Sequence, residues 1–231
     1  MSDEAEIARG IAVPLLRGPL RGMRWLPSSG GKLARFLLGS YEAKQSALFA
    51  QRVTPGQQVI DVGAAAGYYT LLAAKCVGAS GSVIACEPDA GNLRFLRAHV
   101  ARNRLANVRI LPLALADENG SARFGRPSGT GRGRLTHDGA SEVAVRRLDD
   151  LAAELSLRPQ HLKIDVEGAE LDVLRGGERL IREHGPTLFL STHDRQKPGV
   201  HQGCCELLAS WGYGVRPIGP GELLCLRDGV G

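Results

Sequence analysis

A turn containing two glycines follows the first predicted strand of this chain. Val59 to Val62 is an apolar run typical of a buried strand, and Gly63 and Gly67 come in the turn after it. Ligands of open α/β sheets bind at the carboxyl ends of strands, where glycine lets the backbone approach a ligand closely. The glycines are four residues apart and Asp61 precedes them, unlike the Gly-x-Gly-x-x-Gly spacing of dinucleotide sites. The turn therefore indicates a cofactor other than a dinucleotide, although a buried turn can also need glycine for packing alone.

An acidic residue follows the second predicted strand. Val83 to Cys86 forms that strand, and Glu87 stands directly after it. A carboxylate at this position of an α/β sheet can accept hydrogen bonds from both ribose hydroxyls of an adenosine. The alternative is a helix-capping role, but Asp89 can supply the cap instead. We therefore expect Glu87 to bind a ribose.

Ionisable side chains also follow the fourth and fifth predicted strands. Asp165 and Glu167 come at the end of the strand that starts at Leu162, and His193 comes just after the strand from Thr187 to Ser191. The carboxyl ends of neighbouring parallel strands face one crevice, so we expect these three side chains to lie close together. An imidazole with an ordinary pKa of about 6.5 suits a general base at neutral pH. A loop histidine bonded to backbone is the alternative, and Glu167 is the alternative base.

The same three residues have a further interpretation, and a third acid stands beside them in the sequence. Asp165, Glu167 and His193 could hold a divalent cation through carboxylate oxygens and an imidazole nitrogen. Their spacing is not diagnostic of a metal site, so we predict that no metal is bound. Glu170, the third acid of this segment, is most simply explained as a first-turn helix residue favoured by the helix dipole.

Strand and helix patterns alternate along most of the chain after Gln57. The strands are predicted at 59–62, 83–86, 108–111, 162–165, 187–191, 214–218 and 222–226, and the helices at 69–77, 148–155, 170–183 and 204–211, with a further helix after Asp89. This alternation predicts an α/β, Rossmann-like fold with a mostly parallel seven-stranded sheet covered on both faces. The last two strands are joined by a tight turn at 219–221, so one of them is expected to be antiparallel.

Two segments lie outside this alternation. Residues 117–147 are rich in glycine and arginine and include two strand-like pieces, 122–124 and 143–145, so we expect a hairpin or arm beside the site.

Residues 1–56 are predicted to form an N-terminal helical cap on a domain of residues 57–231. Residues 8–40 contain six basic residues and no acidic one. We expect the cap to be solvated and packed over the core, and a patch for an anionic partner is the alternative.

Composition and charge narrow the class of protein. The net charge of +5 is compatible with a nucleic-acid partner but equally with an arginine-rich enzyme. The five cysteines lack metal-ligand spacing, so neither a disulfide framework nor a structural zinc site is expected. No apolar run reaches the roughly 20 residues that span a bilayer, and the acidic start from Met1 to Glu6 is unlike a secretory signal. We expect a cytoplasmic protein.

Several motifs together point to one family. They lie at 59–64, 67–71, 87–88 and 114–117, with Gly120 and Phe124, and above all in the octapeptide from Lys163 to Glu170. With these motifs the chain resembles, over about residues 41–211, the FkbM family of S-adenosylmethionine (SAM)-dependent methyltransferases. The resemblance implies a class I methyltransferase fold, SAM as the cofactor, and transfer to hydroxyl oxygens of sugars, lipids or natural products. The SAM-binding residues expected on this basis are Tyr41, Glu42, Asp61, Gly63, Ala64, Gly67, Tyr68, Glu87, Ala114 and Asp165.

The predicted function is therefore SAM-dependent O-methylation of a small-molecule acceptor. His193, Asp165 and Glu167 are the catalytic candidates. An RNA methyltransferase on the same fold is one alternative, favoured only by the basic charge, and a non-catalytic SAM-binding protein is another. The chain contains no Asn/Asp-Pro-Pro-aromatic tetrapeptide and no cysteine after a proline, which argues against the common amino-methylation of bases and against cytosine C5 methylation.

Overall fold

The computed structural model describes residues 7, 10–29, 32–125, 133–135 and 139–227. The strands are β1 (Val13–Pro14), β2 (Arg24–Trp25), β3 (Gln58–Val62), β4 (Ser82–Cys86), β5 (Val108–Leu111), β6 (Ala114–Ala116), β7 (Gly120–Gly125), β8 (Arg134–Leu135), β9 (Ser141–Arg147), β10 (His161–Ile164), β11 (Thr187–Ser191), β12 (Tyr213–Gly219) and β13 (Glu222–Arg227). The helices are α1 (Leu33–Leu38), α2 (Ala43–Arg52), α3 (Tyr68–Val77), α4 (Ala90–Arg102), α5 (Leu148–Glu154), α6 (Glu170–Gly176), α7 (Glu178–His184) and α8 (Val200–Ser210).

Seven strands form the central sheet in the order β12-β13-β11-β10-β3-β4-β5. β13 runs antiparallel to both of its neighbours, while the pairs from β11 to β5 are all parallel. The predicted α/β architecture with one antiparallel strand is confirmed. Because parallel strands align their carboxyl ends, β3, β4, β10 and β11 all end at the same edge of the sheet.

Both faces of this sheet are buried. Along β3, Ile60 and Val62 pack into one apolar cluster, whereas Val59 packs into a second cluster. This separation follows from the two-residue period of a strand, which sends successive side chains to opposite faces. Helices α5 to α8 contribute to the first cluster. The second cluster receives α2, α3 and the residues that precede α2, which we call the N-terminal segment.

The helix predicted over 170–183 is interrupted, so that prediction was wrong in its extent. The segment forms α6 and α7, which are separated at Gly177. A side chain at Gly176 would meet the Ala116 carbonyl oxygen at 1.9 Å, and one at Gly177 would meet Leu148 Cδ2 at 2.8 Å. Close packing against β6 and α5 therefore requires the two glycines at which the helix breaks.

The glycine- and arginine-rich segment forms a second sheet together with β6, which precedes it. Its strand order is β6-β9-β7-β8. The two strand-like pieces expected from the sequence pair with each other, since Ala122 lies opposite Val143 in the antiparallel β7–β9 pair. Residues 126–132 and 136–138 of the predicted arm lie outside the described residues.

The N-terminal segment is attached to the core through one buried histidine and several apolar residues. His99 of α4 accepts a hydrogen bond from the Leu26 amide through Nε2 (2.9 Å), and its Nδ1 donates to the Ala66 carbonyl (2.7 Å). Burial lowers the pKa of His99 to about 4, so the ring is neutral and can accept the bond from Leu26. The Trp25 ring stacks on His99 with the ring centroids 3.9 Å apart. These contacts connect the N-terminal segment to the glycine-containing turn.

In the part of the chain that the structure describes, no helix combines the length and apolar character needed to cross a membrane. The division into a cap of residues 1–56 and a domain of residues 57–231 stays a prediction.

Candidate functional site

A cavity of about 360 Å³ opens at the carboxyl ends of β3, β4 and β10. Its size lies within the range typical of small-molecule sites. The turn after β3 and the acids that follow β4 and β10 form its floor, and residues of the N-terminal segment and of the second sheet complete its walls. Among the residues predicted from the sequence, the cavity is lined by Tyr41, Asp61, Gly63, Ala64, Tyr68, Glu87, Ala114, Asp165 and Glu167. Glu42, Gly67 and His193 do not line the cavity. Glu42 and Gly67 are adjacent in sequence to residues that do, and His193 lies 3.5 Å from Asp165, which lines it.

The two glycines of the first turn are needed for packing between elements. Gly63 has a φ of +81°, and a side chain there would meet the Asp165 carbonyl oxygen at 2.0 Å. Gly67 has a φ of +101°, and a side chain there would meet Leu96 Cδ1 at 2.7 Å. The first glycine therefore lets the turn after β3 lie against the turn after β10, and the second lets α3 begin close to α4.

Ala65, in the same turn, adopts a backbone conformation that is unfavourable for its side chain. Its φ is +48°, in the left-handed region that glycine and asparagine enter more easily than alanine. Its amide donates to Glu87 Oε2 at 2.7 Å. The bend therefore turns this amide towards the acid that follows β4.

Glu87 is held in a fixed position at the edge of the cavity. Only 4% of it is exposed. Its Oε2 accepts from Ala65, and its Oε1 accepts from the Asp89 amide at 2.8 Å and from Asn92 Nδ2 at 3.3 Å. Burial raises the pKa of Glu87 to about 7, although these hydrogen bonds favour the charged form. Asp89 caps α4 by accepting from the Asn92 amide, so the capping role belongs to Asp89 and leaves Glu87 available to a ligand.

Asp61 connects the first strand to the helix after the turn. Its Oδ2 accepts from Thr70 Oγ1 at 2.6 Å, and only 2% of the residue is exposed. Burial raises the pKa of Asp61 to about 6, against the effects of the Thr70 hydroxyl and of Lys163. The side chain therefore serves the packing of α3 on β3 and also lines the cavity.

An aromatic cluster and several buried polar atoms lie on the side of the N-terminal segment. The Tyr41 ring lies 4.8 Å from those of Phe36 and Tyr68, and Lys32 donates to its hydroxyl. Buried polar groups lie nearby. Glu42 and the Tyr69 hydroxyl face each other, and both side-chain polar atoms of Gln45 are buried without a hydrogen-bond partner among the described residues. Unpaired buried polar atoms are costly, so they indicate a place where a ligand can supply the missing partners.

These buried polar groups were not all foreseen. Glu42 was predicted as a cofactor residue, but Tyr69 and Gln45 were not. Burial, and after it the charge of Glu42, raises the pKa of the Tyr69 hydroxyl. Gln45 follows Glu42 by three residues, a spacing that places two side chains on the same face of a helix. This spacing was the signal in the sequence that could have identified Gln45.

His193 and Glu170 form a close pair behind the cavity. His193 Nδ1 lies 2.6 Å from Glu170 Oε1, and Glu170 is fully buried. Glu170 Oε1 also accepts from the Gly168 amide at 3.0 Å. Since a carboxylate can only accept, the proton of a neutral His193 is on Nδ1 and its Nε2 carries a lone pair. The first-turn interpretation of Glu170 was incomplete, because this buried side chain also contacts His193.

The Nε2 atom of His193 faces two further carboxylates. It lies 3.5 Å from Asp165 Oδ1 and 3.5 Å from Glu167 Oε2. Burial of the ring opposes its charged form, but the hydrogen bond to Glu170 and the charges of all three acids outweigh burial and raise the pKa of His193. The structure thus brings together the three residues that the sequence placed at two strand ends.

Lys163, on β10, compensates part of this negative charge. Its Nζ lies 3.3 Å from Asp165 Oδ2 and donates to Ser191 Oγ at 2.8 Å, with only 1% of the residue exposed. Burial would raise the pKa of Asp165, but Lys163 and then His193 lower it. The sequence pattern indicated only a strand position for Lys163, since a lysine in an apolar run carries no sign of its partner.

Asp165, Glu167 and His193 also meet the geometric requirements of a cation site. One ligand atom from each residue lies within 4.8 Å of the other two. Gln196 Nε2 already donates to Glu167 Oε2 at 2.9 Å, and Lys163 lies on the other side of Asp165. Three acceptor atoms facing each other need a positive charge between them, either a proton on His193 or a cation.

The family model described as the methyltransferase FkbM domain matches residues 61–215. This chain belongs to the FkbM methyltransferase family. The resemblance inferred from the sequence motifs is thereby confirmed, and SAM is the cofactor. No curated protein matches the chain by sequence.

Solved structures similar to this FkbM family member share its fold. An FkbM methyltransferase from Methylobacillus flagellatus is 22% identical with a TM-score of 0.53, and the match covers 74% of this chain but 42% of that one. A putative rRNA-methylase from Clostridium thermocellum is 12% identical with a TM-score of 0.52, covering 80% and 94% of the two chains. Aeropyrum pernix fibrillarin, solved with natively bound SAM, is 14% identical with a TM-score of 0.50, covering 78% and 72%. The fold is that of class I SAM-dependent methyltransferases, as predicted.

Proposed function

We propose that this FkbM family member transfers the methyl group of SAM to a hydroxyl oxygen of a small acceptor, such as a sugar, a lipid or a natural product. The observation that carries the proposal is the His193–Glu170 pair, which lies behind the cavity with His193 Nε2 3.5 Å from Asp165 of its lining. A base oriented by a buried acid is what removal of a hydroxyl proton requires. Bound SAM supplies an electrophilic methyl carbon attached to a positively charged sulfur.

The residues around the cavity fit this cofactor. Glu87 presents two fixed carboxylate oxygens, which suits the two hydroxyls of a ribose. Glu42 can accept from the methionyl ammonium, and the Tyr69 hydroxyl, whose residue lines the cavity, can donate to the methionyl carboxylate. The remaining proposed contacts come from Tyr41, Asp61, Gly63, Ala64, Gly67, Tyr68, Ala114 and Asp165.

His193 is the proposed base. With its Nδ1–H hydrogen-bonded to Glu170, its Nε2 would accept the proton of the acceptor hydroxyl, and bound SAM would supply the methyl group that the acceptor oxygen takes in place of that proton. Asp165 and Glu167 stabilise the imidazolium that results, since both lie 3.5 Å from Nε2. Asp165, which also lines the cavity, connects the base to the cofactor side of the site.

The proposed acceptor lies between the cap and the arm. Trp25 and Phe36 of the N-terminal segment and Phe124 and Leu135 of the second sheet line the cavity. Loops and additions on a rigid scaffold commonly determine specificity, so we assign acceptor choice to these two segments. Residues 1–56 are accordingly proposed as a cap on the methyltransferase domain of residues 57–231.

Transfer of labelled methyl from SAM tests the proposal. His193→Ala should lower turnover by about 10²–10⁴-fold, the usual contribution of a positioned base, with SAM affinity by calorimetry unchanged. His184→Ala is the matched control, because His184 is exposed at the end of α7 and should leave turnover unaffected. Full activity of His193→Ala would reject the base.

Two further arms of the experiment separate the alternatives. Label that enters RNA but no small molecule would favour an RNA methyltransferase, and SAM binding with no transfer to any acceptor would favour a non-catalytic protein. Chelator treatment should leave turnover unchanged, because His193 acts as a base and not as a metal ligand. Loss of turnover that a divalent cation restores would instead assign Asp165, Glu167 and His193 to a metal.

A further inference from the structure

A buried tryptophan of the N-terminal segment carries a hydrogen-bond donor without an acceptor. Trp25 is 1% exposed, and its indole Nε1 is buried with no hydrogen-bond partner among the residues that the structure describes. The indole N–H can only donate, and it usually finds an acceptor where the ring is buried. Because an unpaired buried donor is costly, this one indicates an acceptor that comes from outside the chain.

Bonds on both sides of Trp25 hold it on α4. The Leu26 amide donates to His99 Nε2 at 2.9 Å, and the Arg24 amide donates to Asn103 Oδ1 at 2.7 Å. Asn103 Nδ2 in turn donates to the Arg24 carbonyl oxygen at 2.9 Å. Together with the stacking on His99, these three bonds keep the indole in its buried position.

The rings packed against the indole do not supply the acceptor. His99 lies with its ring centroid 3.9 Å from that of Trp25, but its two nitrogens already bond Leu26 and the Ala66 carbonyl oxygen. The Phe36 ring lies 4.8 Å away at an interplanar angle of 60°, and an aromatic ring is at most a weak acceptor. Trp25 also lines the cavity, so a ligand in the cavity can bring the missing acceptor to it.

Trp25 is connected to the glycine-containing turn that lies under the proposed cofactor. His99, on which the indole stacks, donates to the Ala66 carbonyl oxygen of that turn, and the neighbouring Ala65 amide donates to Glu87 Oε2. Ala65, Ala66 and Glu87 line the cavity together with Trp25. SAM carries oxygen acceptors in its ribose and in its methionyl carboxylate, and a bound SAM would lie on this turn.

We propose that Trp25 Nε1 donates a hydrogen bond to an oxygen atom of bound SAM, so that the N-terminal segment takes part in holding the cofactor. The inference rests on the proposed place of SAM in this cavity, and it depends on neither the methyl acceptor nor the base. Trp25 precedes residues 61–215, which the family model matches, so membership of the family does not assign it this contact.

NMR spectroscopy of the indole N–H groups tests the contact in the full chain. The chain contains two tryptophans, Trp25 and Trp211, and the spectrum of Trp211→Phe identifies the Trp25 signal. S-adenosylhomocysteine, which keeps the ribose and the amino-acid carboxylate, should move the Trp25 signal downfield, the direction expected when an N–H group forms a hydrogen bond. The Trp211 signal should stay in place, because Trp211 does not line the cavity.

A second ligand identifies the oxygen that accepts the bond. 5′-Methylthioadenosine keeps the ribose but lacks the carboxylate. A downfield shift with both ligands would assign the bond to the ribose, and a shift with S-adenosylhomocysteine alone would assign it to the carboxylate.

Calorimetry of Trp25→Phe measures the contribution of the bond. Phenylalanine keeps an aromatic ring against His99 but removes the donor. The affinity for S-adenosylhomocysteine should fall by about twofold to tenfold if the bond goes to the ribose, and by more than about tenfold if it goes to the charged carboxylate. Trp211→Phe is the matched control and should bind as wild type does.

Other results would overturn the contact. An unmoved Trp25 signal at saturation with S-adenosylhomocysteine would reject it, and so would unchanged affinity of a folded Trp25→Phe variant. Equal movement of both indole signals would show a general change of structure instead. If Trp25→Phe does not fold, the spectra of wild type decide alone.

Glu87→Ala separates failure of this contact from failure of the proposed cofactor site. Weaker binding of S-adenosylhomocysteine by Glu87→Ala, with an unmoved Trp25 signal in wild type, would reject the Trp25 contact only. Unchanged binding by Glu87→Ala together with an unmoved Trp25 signal would reject the proposed place of SAM as well.

Discussion

Glu170→Gln tests how the proposed base is positioned. The substitution keeps the shape of the side chain and an oxygen that can accept from the Gly168 amide, but it removes the charge that faces His193 Nδ1 at 2.6 Å. Because Glu170 is fully buried, solvent screens this interaction little. The variant therefore isolates the electrostatic part of the pair.

The size of the effect follows from the hydrogen bond. A bond to a charged group contributes about 1.5–3 kcal/mol, and one pKa unit corresponds to about 1.4 kcal/mol. The pKa of His193 should therefore fall by about 1–2 units. Glu170 stabilises the charged imidazolium and raises the pKa, so its removal moves the acidic limb of the kcat/KM profile to lower pH. The value of kcat/KM on the pH-independent plateau should fall by about tenfold to hundredfold, because the variant loses part, not all, of the contribution of a positioned base.

The assay combines the pH profile of methyl transfer with an NMR titration of the His193 ring and calorimetry of SAM binding. SAM affinity should stay near wild type. Asp172→Asn, an acid of the same helix that instead pairs with Lys197 at 2.9 Å, is the matched control and should leave both the profile and the ring titration unchanged. An unshifted His193 titration in a folded Glu170→Gln protein would refute the positioning role.

Three further outcomes are expected. Glu87→Ala should weaken SAM binding by about 1.5–3 kcal/mol in calorimetry, the range for hydrogen bonds to a charged group; unchanged affinity in a cooperatively folded variant would remove Glu87 from the ribose site. Ala65→Gly should raise the free energy of unfolding by up to about 1 kcal/mol, because the left-handed φ of +48° costs alanine about 1–2 kcal/mol and glycine returns part of that as chain entropy; a lower unfolding midpoint would contradict this. Phe124→Ala should raise KM for the acceptor by about tenfold, as expected when a large apolar contact of about 1.5 kcal/mol is lost, with SAM affinity unchanged; equal loss of both affinities would place Phe124 in the cofactor site.

Local patterns in the sequence determined the strands and the ends of several elements. Apolar runs predicted the inner strands of the main sheet, because strands buried on both faces carry mostly apolar side chains. The tight turn at 219–221 predicted the antiparallel strand, since two strands joined by so short a turn must reverse direction. Asp89 was predicted as a cap from its position before an amphipathic helix, and the structure places its carboxylate on the Asn92 amide. Each of these features depends on residues close together in the sequence.

Only the tertiary structure decided which groups meet in the site. Glu170 and His193 are 23 positions apart and lie on different elements, so the first-turn pattern of Glu170 carries no sign of the histidine. The same holds for Lys163 and Ser191, and for the β6–β9 pairing that turns the expected hairpin into a four-stranded sheet. The break between α6 and α7 was missed for a similar reason, because the helix pattern continues through the two glycines and only the approach of β6 and α5 requires them. The spacing of residues along the chain predicts only local geometry. Contacts between elements depend on how the sheet aligns the ends of its strands, and that alignment is a property of the whole fold.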